Sequence, residues 1–114
     1  MLEYDVNEIK SILAKAKTAA ANASQEYFTE KMNSEDNYPC GFAWVNIYGI
    51  KGNTKLGRAM KAAGIEKDYS GAYKIWNPGE MFVQNVDIKE AGAEAAADVF
   101  ESFGFKAYAN SRLD

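Results

Sequence analysis

A chain of 114 residues has the length of one domain and can bury about two-thirds of the surface its unfolded form exposes. Its 47% hydrophobic and 13% aromatic content excludes a largely disordered chain and fits a packed globule. A net charge of −3 counts against a general nucleic-acid binder, whose affinity comes from neutralising phosphates.

Residues 1–33 read as one long amphipathic helix. Asp5 and Glu8 have the spacing of a capping box, in which side chain and backbone amide satisfy each other reciprocally. Leu2, Val6, Ile9, Leu13, Ala16, Ala20, Ala23 and Tyr27 then recur in steps of three and four, a seam along one helical face. The seam shrinks from large aliphatics to alanine midway, so its partner surface must come close there, whether that partner is flat or a second copy. "SEDNYP", residues 34–39, is polar and ends in proline, and reads as a linker.

From residue 40 to 114 the pattern is that of a separate α+β unit. "GFAWVNIYG" alternates Phe42, Trp44, Asn46 and Tyr48 with Ala43, Val45 and Ile47, as a strand covered on both faces does. Thr54 caps a short helix bearing Leu56, Met60 and Ala63, and Gly64 stops it. "GAYKIW" and "EMFVQNV" read as two strands joined at Asn77-Pro78-Gly79, a strong turn signal. Asp87 and Glu90 repeat the capping-box spacing before a helix with Ile88, Ala91, Ala95, Val99 and Phe103 near one stripe. Gly104 ends it, and "FKAYAN" is a last strand. The expected fold is therefore a long amino-terminal helix followed by a ferredoxin-like β-α-β-β-α-β antiparallel sheet.

Chemistry is constrained by what is missing. With no histidine, a serine–histidine or cysteine–histidine pair and histidine-ligated zinc are excluded within one chain. The single cysteine, Cys40, excludes an internal disulfide and reads as a small buried residue in a reducing compartment. No apolar run approaches the ~18 residues of a membrane helix. MLEYDVNEIK lacks the basic and apolar regions of a signal peptide, so a cytoplasmic location is expected.

Three groups of residues invite a functional reading. Phe42, Trp44 and Tyr48, joined by Trp76 and Tyr108 with Lys74 and Lys106 nearby, form a sheet face of the kind that stacks unpaired bases. The simpler reading is that the amino-terminal helix lies across these rings, since a large uncovered apolar patch is unusual on a monomer. Residues 51 to 67 carry Lys51, Lys55, Arg58, Lys61 and Lys67 against Glu66, a net of +4 that leaves −7 for the rest. That segment could meet an anion, although "GIKGNTK" lacks the spacing of a phosphate-binding P-loop. The simpler reading is two solvated helix faces of opposite charge, the other carrying Glu90, Glu94, Asp98 and Glu101. Finally, Asn77, Gln84, Asn85, Asp87, Asn110, Ser111, Arg112 and Asp114 gather at element ends, as capping groups or as a small polar pocket.

The segments "NYPCGFAWVNI", "TKLGRAMKAAG", "WNPGEMFVQNVD" and "AGAEAAADVFESFGFKAYANSRLD" together resemble a family of small proteins of tailed phages and prophages with no assigned activity. The resemblance covers residues 37–114 and implies a viral accessory protein acting in the bacterial cytoplasm. It brings no catalytic residues and no cofactor.

The expectation is a non-enzymatic binding protein that occupies a host protein or sequesters a small nucleotide ligand. It would form homo-oligomers through the long helix or the aromatic face. Trp44, Tyr48, Trp76 and Tyr108 would supply stacking surface, and Lys55, Arg58, Asn85 and Arg112 would meet an anionic or polar group. The alternatives are a single-stranded nucleic-acid binder using the same face, and a small enzyme that works without histidine.

Overall fold

The computed structural model describes residues 3–32, 40–81 and 83–113. Leu2, the linker at 34–39, Phe82 and Asp114 lie outside them. The chain is α+β: a long helix α1 (Val6–Glu30), then β1 (Gly41–Tyr48), α2 (Lys55–Ala62), β2 (Glu66–Lys67), β3 (Tyr73–Trp76), α3 (Val86–Ser102) and β4 (Lys106–Leu113). The four strands form one sheet in the order β2-β3-β1-β4, and every pairing is antiparallel.

Local signals set most of these boundaries. Asp5 and Glu8 make the expected capping box, the Glu8 amide donating to Asp5 at 2.8 Å and the Asp5 amide to Glu8 at 3.1 Å. Such a cap is worth about 1 kcal/mol to the helix. The Thr54 hydroxyl oxygen accepts from the Gly57 amide and caps α2. Past the ends of α2 and α3, Gly64 and Gly104 take positive φ, where a side chain would be strained.

The core lies between the helices and one face of the sheet. Ala43, Val45 and Ile47 of β1, Tyr73 and Ile75 of β3 and Ala107 of β4 are buried with Ile9, Ile12, Met60, Ala93, Ala96 and Phe100. The alternation in β1 thus divides as expected, its small and aliphatic side chains toward the helices.

The amino-terminal helix does not lie across the aromatic face, the simpler reading from sequence. It packs chiefly on α3 and touches α2, so the helices share the other side of the sheet. The reason is the small side chains midway along it. Ala16, Ala20 and Ser24 are buried, and the Ser24 hydroxyl donates to the Ile88 carbonyl at 2.8 Å. A Cβ on Gly92 would fall on the Ser24 oxygen and lie 3.2 Å from the Ala20 carbonyl oxygen; one on Gly79 would lie 2.8 Å from the Ser24 oxygen. Backbones this close leave room only for glycine. The other end of the contact is tied by Tyr4, whose hydroxyl donates to the Phe103 carbonyl at 2.8 Å and whose ring stacks on Phe105. The seam is therefore occupied within the chain.

Three further expectations are corrected. "EMFVQNV" is not a strand: among its described residues only Asn85 bridges, singly, to Cys40. The Asn77-Pro78-Gly79 turn forms, with Pro78 buried, but it carries Gly79 against α1 instead of returning a hairpin. The missing strand is supplied by Glu66–Lys67, folded onto β3 through the turn at Asp68–Gly71. The second capping box is also displaced, because Asn85 rather than Asp87 caps α3, accepting from the Ile88 amide at 3.0 Å. Lastly, the buried side of α3 is Val86, Ile88, Gly92, Ala93, Ala96, Ala97 and Phe100; of the expected stripe only Ile88 belongs to it, and Ala91, Ala95, Val99 and Phe103 are half-buried, because the helix packs on α1 and on the sheet at once.

Alanine has the better helix propensity by about 1 kcal/mol, yet Gly92→Ala should lower stability by about 1–3 kcal/mol. Adding Ser24→Ala to that variant should recover part of the loss. Urea unfolding of the single and double variants measures both; a neutral or stabilising Gly92→Ala contradicts the close helix contact.

Candidate functional site

With the helices on one side, the other face of the sheet is left open by the described residues, and the register assigns its residues in rows. Phe42 pairs with Arg112; Trp44 lies between Trp76 and Asn110; Asn46 lies between Lys74 and Tyr108; Tyr48 pairs with Lys106. Residues directly opposite in antiparallel strands point to the same face, so strand pairing alone gathers these side chains.

The rings form two groups. Trp44 and Trp76 stack with centroids 5.4 Å apart and planes 10° from parallel, and Phe42 tilts against Trp76 at 5.6 Å. Tyr48 and Tyr108 meet at 5.9 Å with a 53° tilt. Each such contact is worth about 0.5–1.5 kcal/mol beyond the area it buries. Trp76 is 51% exposed, Tyr108 54% and Tyr48 41%, so much of this aromatic surface still faces solvent.

Cations flank the rings. The Lys74 ammonium sits 5.0 Å from the Trp44 centroid and 5.9 Å from that of Trp76. Lys89 and Arg112 approach the Phe42 ring at 5.1 and 5.5 Å, and Lys89 also donates to the Gly41 carbonyl at 2.9 Å. Lys74 is steadied by Asp68 at 3.5 Å. Hydrogen bonds from the Ser70 side chain, then from its amide, and the nearby Lys74 outweigh desolvation and hold the Asp68 carboxyl below its ordinary value of 3.8.

Two polar atoms on this face are out of contact with both water and protein partners: the Trp44 indole nitrogen and the Asn46 carbonyl oxygen. The Asn46 amide nitrogen donates to the Tyr48 hydroxyl at 3.2 Å. Leaving such a group unpaired costs about 1–3 kcal/mol.

At the end of the sheet where β1 stops and β4 begins, a cleft of about 550 Å³ opens beside Tyr48 and Lys106, lined also by Glu3, Lys51 and Lys55. Its size lies in the range of small-molecule sites, about 300–1,000 Å³.

The residues expected from sequence are thus divided. Trp44, Trp76 and Arg112 stand together at one end of the open face, and Tyr48 and Tyr108 at the other, with Lys55 lining the cleft beside Tyr48. Arg58 stands apart on α2, its guanidinium donating to the Asn53 carbonyl at 2.8 Å. Asn85 is fully buried as the cap of α3. The polar residues at element ends do not make one pocket. Asn77 donates to the Met81 carbonyl in its turn, and the Ser111 hydroxyl donates to Glu90 at 2.7 Å. Arg112 belongs to β4 and the aromatic face. Cys40 is half-buried, its sulfur 3.5 Å from the Gln84 side-chain oxygen. Sequence reading passed over Lys89 as a site residue. No local signal marks it, since only the fold brings the start of β1 beside the first turn of α3.

Among the described residues, no three Cys, Asp or Glu side chains cluster as metal ligands, and no helix is long and apolar enough to cross a membrane. Comparison with known proteins finds no matching family model, no match among curated proteins and none among solved structures.

Because the Asp68 carboxyl is held low, its contribution to stability is present above its unfolded value of 3.8 and is lost as pH falls through the lower folded value. The fluorescence of the two tryptophans should therefore hold steady down to about pH 4 and change only below it as Lys74 is released. In Asp68→Asn this acid step should be absent. An unchanged step in the variant contradicts the tether.

Proposed function

We propose that the chain is a non-enzymatic binding protein whose recognition surface is the open sheet face, taking a planar, negatively charged ligand. The observation that carries this reading is the joint exposure of Trp76, Tyr48 and Tyr108 on one uncovered face that also holds Lys74, Lys89, Lys106 and Arg112. Exposed aromatic rings favour planar partners through stacking, and neighbouring cations favour anionic ones. An overall charge of −3 places these cations against the trend of the chain. A second copy stacked face to face would bring the same cations toward one another, which argues for an anionic ligand over self-association.

The ferredoxin-like assignment belongs to this reading. It is supported by the order β2-β3-β1-β4, the antiparallel pairings and the sequence of elements β1-α2-β2-β3-α3-β4. That arrangement is one whose open face serves binding in other proteins, an analogy of fold and not of site. The resemblance over residues 37–114 sets the protein, within the same reading, among phage accessory proteins acting in a bacterial cytoplasm by occupying or sequestering a host component.

Native mass spectrometry of the protein purified gently from bacterial cells tests the proposal. The expected result is a small-molecule adduct that is lost in Trp76→Ala or in Tyr108→Ala, exposed positions at the two ends of the open face whose replacement leaves the core intact. An adduct that survives both substitutions overturns it, as does an adduct-free dimer that Trp76→Ala dissociates.

A further inference from the structure

We infer that the Tyr48 end of the open face is a nucleotide site, with a base held at the Tyr48–Tyr108 pair and its phosphate in the adjoining lysine cleft. This rests on the reading of the open face as the recognition surface and names the ligand class.

Three features coincide there. The first is charge without a partner. Lys51, Lys55 and Lys106 line the cleft, and among the described residues Glu3 is its one carboxylate. Among the described residues none of the three lysines is in an ion pair, whereas Lys74 and Lys17 are. Three lysines lining one recess of this size raise the local concentration of an anion, and a phosphate is the compact anion that three donors can share.

The second is the ring pair. Tyr48 lines the cleft and also belongs to the open face, so one residue joins the cationic recess to the aromatic surface. Its ring meets Tyr108 at a 53° tilt, not in a parallel stack, and the two are about half exposed. Trp44 and Trp76, by contrast, already lie face to face. The tyrosine pair is not closed into such a stack, which leaves ring surface on both residues for a base.

The third is an acceptor in want of a donor. Asn46 lies beside Tyr48 and directly opposite Tyr108, is only 9% exposed, and its carbonyl oxygen has no partner. Its amide nitrogen is engaged by the Tyr48 hydroxyl, so the side chain is held with that oxygen unsatisfied. A base entering between the rings and carrying an exocyclic amine supplies the missing hydrogen bond. Adenine carries that amine, whereas uracil presents a carbonyl acceptor at the corresponding position. A site with a buried polar group discriminates strongly against a ligand that leaves it unpaired.

Titration calorimetry with AMP, adenosine, UMP and an oligoadenylate tests the assignment. AMP should bind at least roughly tenfold more tightly than adenosine or UMP, a difference of about 1.4 kcal/mol. Lys106→Gln and Lys51→Gln should weaken AMP by a similar factor while leaving adenosine unchanged, and Tyr108→Ala should weaken both. The oligoadenylate distinguishes the two sources of the same chemistry. Affinity above that of AMP with a steep salt dependence points to a polynucleotide end, and affinity equal to AMP points to the free nucleotide. The inference is overturned if AMP does not saturate by about 1 mM, if it binds no better than adenosine, or if neither lysine substitution matters. A cellular adduct of another kind, still dependent on Trp76, would then leave the open-face reading standing. An adduct indifferent to both Trp76→Ala and Tyr108→Ala would remove both.

Discussion

The arrangement of this protein depends on how closely α1 approaches α3 around Ser24. The Ser24 hydroxyl reaches the Ile88 carbonyl, and the glycines at 79 and 92 lie where any side chain would strike Ser24 or the Ala20 backbone. Helices that meet over alanine, serine and glycine gain dispersion contacts along their whole length, because interiors are packed to near-crystalline density. Once α1 is committed to α3, its apolar residues are covered, and it has nothing left with which to cover the far side of the sheet. The open face is a consequence of the helix contact.

What stands on that face follows from register. Antiparallel pairing of β1 with β3 and β4 sets Trp44 beside Trp76, Asn46 beside Tyr108 and Tyr48 beside Lys106, and a one-residue slip would turn every one of them inward. The buried face of the same strands is apolar, so the core enforces the register and the register enforces the surface. Binding chemistry, on this account, is held in place by rigid strands and not by loops. Some of it carries a local cost. Trp44 and Asn46 keep polar atoms without partners, and groups of that kind are accounted for by something that meets them.

Much of this was legible in the residues. Period-two alternation in "GFAWVNIY" correctly divided β1 into a core side and an aromatic side, and the Asp5–Glu8 and Thr54 signals located two helix starts. The aromatic residues of the face were identifiable one by one. The partner of the long helix was not, because a seam of alanines states that something comes close without stating what. Ser24 and Gly92 look like poor helix residues locally, and their value is visible only when the two helices are placed together. The "EMFVQNV" segment misled for a related reason. Its strand-like composition was overridden by Gly79 packing on α1, a tertiary effect, and by Asn85 capping α3. Lys89 and the lysine cleft likewise exist only as products of the fold.

The protein has two tryptophans, and both belong to the open face, so their fluorescence reports on that face alone. Comparing quenching by neutral acrylamide, iodide and caesium is the most direct measurement of the central claim, that the sheet's aromatic side is uncovered and electropositive. The account predicts red-shifted emission, ready quenching by acrylamide, and stronger quenching by iodide than by caesium because Lys74, Lys89 and Arg112 border the rings. Blue-shifted emission that none of the three quenchers reaches would contradict it, for then a helix or another copy covers the face.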